Sequence, residues 1–273
     1  MGKSSPHRKI TAVRISDGLR VNAETLVITE KELPVYLNGA RLATASLAPG
    51  MEKEFAAGYL FGQGFIEGFD DITSLEIEDN TAQIILKNKD LTVKGADYRI
   101  VTGGGRTAYF KESFIRKIDS DMIMEKDIIF QAMETLFQQA SIYKETEGAH
   151  AAGLFNKDGK AIIIVEDIGR HNTLDKVTGY ILLNKIATAD TFLVSTGRMA
   201  SEMVTKICRC GIPIAATKTA VTDKGMQIAE QHGLTLIGFV RGAGTKINTD
   251  MDVRVVKETG MKIYTGAARI RCQ

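Results

Sequence analysis

Tryptophan is absent from this 273-residue chain, cysteine occurs only three times, and histidine and proline four times each. Three cysteines in a chain this long cannot build a disulfide framework. There is neither a Cys-x-x-Cys nor a His-x-x-x-His, so the usual zinc spacings are missing. Cys208 and Cys210 stand two apart, on roughly opposite sides of a helix at about 100° per residue. No apolar run approaches the roughly 18 residues of a membrane span. The stretch Met1–Pro6 holds no hydrophobic signal segment, and Pro6 breaks the myristoylation pattern. The expectation is a reduced, cytoplasmic protein. A surplus of charge is missing too: the net charge of +2 and pI near 8.3 give no reason to expect nucleic acid as a partner.

What is present is a globular composition, with 44% apolar residues. The length allows one or two domains. The first third is strand-rich. Pro34–Leu37, Asn38-Gly39 and Ala40–Ser46 spell a hairpin, because Asn-Gly accepts the positive φ of a type I′ turn. A second hairpin is expected over Leu75–Leu86 around Asp79-Asn80. Glu52–Ile66 reads as a helix burying Phe55, Ala56, Tyr59, Leu60 and Gln63, and its internal glycines predict close packing on another backbone. Asp127–Ser141 has helical periodicity.

From Ala149 onward strands and helices alternate. Strands are expected at Ala149–Phe155, Lys160–Val165, Thr191–Ser195, Ile212–Ala216 and Leu234–Val240. Helices are expected at Asn172–Ile186, Met199–Cys210 and Thr222–Gln231. That order predicts an α/β fold with parallel pairing and helices on both sheet faces. It also divides the chain into a strand-rich N-terminal part, 1–125, and an α/β part, 126–273. Val253–Val256 and Met261–Tyr264 are candidate short strands.

The chemistry concentrates in Glu166-Asp167-Ile168-Gly169-Arg170-His171-Asn172, where a buried strand runs into four ionisable side chains and then a helix. Open α/β sheets hold ligands at such strand ends. Three further loops pair glycine with arginine: Thr196-Gly197-Arg198, Arg241–Lys246 and Thr102-Gly103-Gly104-Gly105-Arg106. Glycine lets backbone N–H groups approach an oxyanion, and arginine offers a fork of donors suited to phosphate. Gathered on one rim, they would hold a large anionic ligand; singly, each glycine serves a turn. None is a dinucleotide fingerprint, since Gly103–Gly105 is too dense for G-x-G-x-x-G. His150 and His171 lie beside neighbouring strands. Cys208, one helical turn beyond Val204, reads as a buried and inert thiol.

The segment Glu166–Gly179 resembles the central motif of the FdhD family, the formate dehydrogenase accessory proteins. Glu32–Gly39, Glu54–Ile66, Gly148–Phe155, Ser195–Lys206 and Gly233–Gly242 resemble further blocks of that family in the same order. The resemblance implies a cytidine deaminase-like α-β-α domain without the deaminase zinc site. It also implies binding of the molybdenum bis(molybdopterin guanine dinucleotide) cofactor, with sulfur passed to that cofactor from a cysteine desulfurase so that formate dehydrogenase becomes active. Carried over by position, the cofactor-binding segment falls on Phe239, Val240, Arg241, Gly242, Ala243 and Gly244. The family often has a basic residue where Gly244 stands here, and Lys246 lies nearby. The family's sulfur-carrying cysteine belongs in the segment that reads Thr102–Arg106 here, which contains none. Two functions follow from the resemblance: a sulfurtransferase using another cysteine, or a non-catalytic cofactor carrier. A homodimer is the default assembly.

Overall fold

The structure is a computed structural model describing residues 5–89, 98–100, 115, 117–242, 246–249, 252–255 and 259–272. It opens with an antiparallel ribbon, β1 (His7–Ser16) and β2 (Leu19–Ile28), beyond the strands expected from the sequence. Val13, Ile15, Leu19 and Val21 are exposed near its tip. β3 (Lys31–Leu37) and β4 (Ala40–Leu47) form the first expected hairpin, with Asn38 at φ 49° and Gly39 at φ 81° in the turn. α1 (Glu52–Gln63) follows and stops at Gly64, which takes a left-handed conformation, so the helix ends before Ile66. β5 (Ile72–Glu78) and β6 (Thr81–Leu86) make the second hairpin, and β7 (Tyr98–Ile100) completes a five-stranded sheet in the order β5-β6-β3-β4-β7.

The second half begins with β8 (Met124–Glu125), α2 (Lys126–Gln139) and a separate short helix, α3 (Ser141–Thr146). Then come β9 (His150–Asn156), β10 (Ala161–Asp167), α4 (Arg170–Leu183), β11 (Thr191–Ser195), α5 (Ser201–Arg209), β12 (Ile214–Thr217), α6 (Asp223–His232) and β13 (Thr235–Arg241). A small ribbon of β14 (Lys246–Thr249) and β15 (Asp252–Val255) precedes β16 (Gly260–Thr265), and β17 (Ile270–Arg271) pairs with β8. The main sheet has the order β10-β9-β11-β12-β13-β16.

Among the described strands of this main sheet, parallel pairing holds only for β11-β12-β13. β9 runs antiparallel to both of its neighbours, and β16 runs antiparallel to β13. The expected parallel sheet is therefore a mixed one. The reason is local: the turn from Asn156 to Lys160 is too short for a crossover, so β9 and β10 must form a hairpin. α4, α5 and α6 cover one face, where Leu174, Val177, Val204 and Ala229 pack on Leu154, Leu193, Ala215 and Leu236. α2 covers the other with Ile129, Met133 and Leu136 against Phe155, Phe192 and Ile237. No helix among the described residues is long and apolar enough to cross a membrane.

α1 joins the two sheets. Every residue from Phe55 to Gln63 is buried, not one stripe alone, because the helix lies between the five-stranded sheet and α4. Gly58 and Gly179 make that approach possible. A Cβ on Gly58 would stand 1.8 Å from the Asp175 carbonyl oxygen, and one on Gly179 would stand 1.7 Å from that of Glu54. The two backbones touch, as the glycines inside Glu52–Ile66 predicted. Alanine is the better helix former by about 1 kcal/mol. Gly179→Ala is nevertheless expected to lower unfolding free energy by about 3 kcal/mol, because both partners are backbone and cannot swing aside. Urea denaturation measures this, and an unchanged midpoint would contradict the contact.

A cationic rim at one end of the mixed sheet

Since β9 opposes both of its neighbours, β10, β11, β12 and β13 all run the same way and end on the same edge of the sheet. The start of β9 lies on that edge too, with His150 paired to Asp167. The loops after β10, β11 and β13 that the sequence singled out therefore share one rim. The glycine-rich segment Thr102–Arg106 lies outside the described residues, as do Ala243 and Gly244.

Half of the four-charge cluster turns out to hold the frame together. The Glu166 carboxylate accepts the Ile142 and Tyr143 N–H groups at 3.1 and 2.6 Å and so caps α3. Asp167 is completely buried. Its Oδ2 lies 2.7 Å from the Lys176 ammonium and accepts the Ala48 N–H at 3.1 Å. Its Oδ1 accepts from Asn172 Nδ2 at 2.7 Å and from the Gly169 N–H at 3.2 Å. Lys176 also donates to the Ala48 carbonyl, and Asn172 to that of Ser46. These contacts fasten the end of β4 to the start of α4. Two of the four charges are thus spent on structure: Asp167 is a buried charge tolerated because it is paired and hydrogen-bonded, and Glu166 caps α3.

Arg170 and His171 are the pair left facing the rim. Among the described residues, Arg170 Nε and both ring nitrogens of His171 are buried without a hydrogen-bond partner. His171 Nε2 stands 3.3 Å from the Glu202 carboxylate at the start of α5. One turn further along the same two helices, Asp175 and Lys206 form a buried pair at 2.6 Å. Burial pushes the Asp175 carboxyl up, and the Lys206 ammonium opposes that push. Glu202 is held below the ordinary carboxylate range, chiefly by the His171 ring. His150, whose Nδ1 lies 3.2 Å from Thr196 Oγ1, is pushed down by burial and then by Arg170, His171 and Arg198. Asp167 opposes those cations at His150.

A chain of threonines links this corner to β13. Thr217 Oγ1 donates to the Gly197 carbonyl at 2.6 Å and meets Thr219 Oγ1 at 3.1 Å. The Thr219 carbonyl accepts the Phe239 N–H at 2.9 Å. Phe239 sits in a β13 irregularity with φ 54°, and its ring has the Arg241 guanidinium at 5.5 Å and the Lys262 ammonium at 5.0 Å. Val240 points into the α2-side core, so its side chain takes no part at the rim. Arg241 and Gly242 are half-buried. Lys218, 4.7 Å from the Phe137 ring, and Lys262 add cations that a search for glycine-arginine loops misses, because neither lies in such a loop.

The thiols stand apart from this rim. Cys208 is buried within α5 and pushed up to about 12 by desolvation, and Cys210 is pushed up to about 11 for the same reason. Cys272 is exposed. A thiol reagent is expected to label only Cys272 promptly in the native protein, and all three cysteines in denaturant. Prompt labelling of Cys208 under native conditions would overturn its placement.

Fold and rim together define a mixed α/β protein that presents a cationic edge suited to anions. The profile of the FdhD/NarQ family matches residues 28–271, and the chain belongs to that family. It is 33% identical over 243 residues to the sulfur carrier protein FdhD of Methanothermobacter thermautotrophicus, covering 87% of this chain and 94% of the relative. It is 31% identical over 244 residues to the protein of the same name from Sulfolobus acidocaldarius, covering 89% and 96%. A crystal structure of a candidate formate dehydrogenase accessory protein from Desulfotalea psychrophila shares the fold at TM-score 0.78 and 24% identity, over 98% of this chain and all of the other.

Proposed function

We propose that this chain is an accessory protein for formate dehydrogenase that holds the molybdenum bis(molybdopterin guanine dinucleotide) cofactor as cargo at the cationic rim. The observation that supports the reading is the gathering of Arg170, His171 and Arg198 at the ends of β10 and β11, with Arg241 at the end of β13 on the same sheet edge and with Arg170 Nε and both His171 ring nitrogens buried and unpartnered among the described residues. Unpaired buried donors cost free energy unless a ligand satisfies them. The residues fit a multiply anionic group of that kind: the guanidinium groups suit its phosphates, and Phe239 offers an aromatic face for a base. Phe239, Arg241 and Gly242, together with Ala243 and Gly244 as the resemblance implies, would hold one end; Arg198 and the turn of Arg170 and His171 would hold the other. In the dehydrogenase the cargo supplies molybdenum redox chemistry. This chain's part is to bind, orient and shield. The α4-α5-α6 layer on the mixed sheet, with α2 opposite, supports the cytidine deaminase-like layering proposed for the family. A cytoplasmic homodimer made of a strand-rich part, 1–125, and an α/β part, 126–273, completes the reading.

The thiol inventory favours carriage over sulfur transfer. Capture of sulfur from a cysteine desulfurase needs an accessible thiolate, and Thr102–Arg106 contains no cysteine. One observation supports the transferase alternative: Cys272 is exposed.

Calorimetry with GDP tests the rim. Arg241→Ala is expected to weaken GDP by about 1.5–3 kcal/mol, the usual worth of a charge-assisted hydrogen bond; unchanged affinity would remove Arg241 from the site. Intact-mass spectrometry after incubation with a cysteine desulfurase and cysteine separates the two functions. No mass gain is expected, whereas one added sulfur that is lost on reduction would establish transfer through Cys208, Cys210 or Cys272.

A further inference from the structure

The ribbon of β1 and β2 is fastened at its base. His7 Nε2 meets the Glu145 carboxylate of α3 at 3.0 Å, and a Cβ on Gly148 would stand 3.2 Å from the Ile28 side chain, so the base sits beside the rim end of β9. Ten residues per strand, at about 3.3 Å each, carry the tip roughly 30 Å from that base. The distal half is bare. Among the described residues, the large apolar side chains left exposed are Val13, Ile15, Leu19 and Val21 of this half, and Ile123 just before β8. Cross-strand register sorts the four over both faces: Val13 and Ile15 lie with Asn22 and Arg20 on one, Val21 and Leu19 with Arg14 and Ser16 on the other. Each face thus offers two apolar side chains and a guanidinium. A two-stranded ribbon is only marginally stable alone, and packing one face on its own body would leave the other bare. The pattern calls for a hollow that grips both.

The second exposed patch borders such a hollow. Ile123 lies at a cavity of about 550 Å³ that Asp119, Asp121 and Asp190 line, with Lys157 the single cation among its lining residues. The hollow stands beside the Asn156–Lys160 turn and the loop before β11, at the end of the main sheet opposite the rim.

We propose that the ribbon tip of one copy of this chain docks in the acidic hollow of a second copy. The inference rests on the homodimer in the reading above and names its surfaces; the cofactor plays no part in it. Arg14 and Arg20, which make no ion pair among the described residues, meet three carboxylates there, while the apolar side chains beside them cover Ile123. Apolar burial supplies the affinity, and the opposed charges select the partner. Two copies lying side by side with their strands reversed bring the rim end of each to the far end of the other. Both contacts then form about one two-fold axis, which closes the assembly at two copies. β1 and all but the last residue of β2 precede the residues matched by the family profile, so family membership does not assign this surface.

Sedimentation of the full chain tests the assembly, and cysteine pairing tests the surfaces. The wild type is expected to sediment as a dimer, and joint Ile15→Asp and Leu19→Asp substitution to weaken it by about tenfold or more, the usual loss when interface anchors are removed. Both side chains are exposed in the single chain, so the substitutions leave its core intact. In a Cys272→Ser background, a chain carrying Ser16→Cys at the tip is mixed with one carrying Ala189→Cys in the hollow. A disulfide joining the two different chains is expected, and none within either variant alone, because the Cα atoms must come within about 7 Å. A monomeric wild type would overturn this inference together with the homodimer. A dimer left intact by the ribbon substitutions, or one that links Ser16→Cys chains to each other and not to Ala189→Cys chains, would preserve the homodimer and overturn this interface. Cofactor binding at the rim stands or falls separately, by the calorimetry above.

Discussion

The buried carboxylate of Asp167 is the constraint on which the rest of this architecture depends. It is shared among an ammonium, an amide and two backbone N–H groups. Breaking such a pair typically costs about 3–5 kcal/mol, because a bare charge is left behind. The partners come from both halves of the molecule: Ala48 follows β4 of the N-terminal sheet, while Gly169, Asn172 and Lys176 belong to the opening of α4. One side chain thereby fixes the angle at which the first sheet meets the second, and the direction in which α4 sets out from the rim. Arg170 and His171 face the rim because Asp167, Gly169 and Asn172 hold the turn before and after them.

The close approach of α1 and α4 serves the same end by different physics. Contact between backbones at Gly58 and Gly179 leaves no slack, since a packed core resists displacement on the scale of a single methyl group. Lys206 closes the arrangement from the third side: a Cβ on Gly62 would lie 2.9 Å from its side chain, which reaches Asp175. The helix starts that border the rim are thus fixed from behind, by contacts remote from any ligand. Pre-organisation of this kind lowers what must be ordered on binding.

Much of this was legible in the sequence, and the exceptions have physical causes. Asn38-Gly39 and Asp79-Asn80 declared their hairpins because their positive φ values are chemically marked. The helices α2, α4, α5 and α6 were legible to within two or three residues at their ends, whereas the short α3 was not. The ribbon of β1 and β2 did not, because Val13, Ile15, Leu19 and Val21 give it no single buried face whose alternation could be read. The direction of β9 was implicit in the short turn at Asn156–Lys160 but was outweighed by the alternation of strands and helices that follows. The rim was legible as a set of loops, yet the roles within it were not. Nothing in Glu166-Asp167-Ile168-Gly169-Arg170-His171 says which two charges turn inward; that depends on Ile142, Tyr143 and Ala48, which are remote in sequence. Lys218 and Lys262 were invisible for a related reason, since only the sheet order brings β12 and β16 to the same edge as β10.

Phe239 carries a consequence for how this protein can vary. A phenylalanine in the left-handed region costs about 1–2 kcal/mol relative to ordinary backbone geometry, and here the cost persists within β13. Glycine at that position would relieve the conformation and remove the ring on which Arg241 and Lys262 converge. Selection for folding alone would favour the glycine; selection for the cargo binding proposed above would favour the ring. Under that proposal, position 239 is a place where stability and binding pull in opposite directions, and a library screened only for thermal tolerance would lose the ring there.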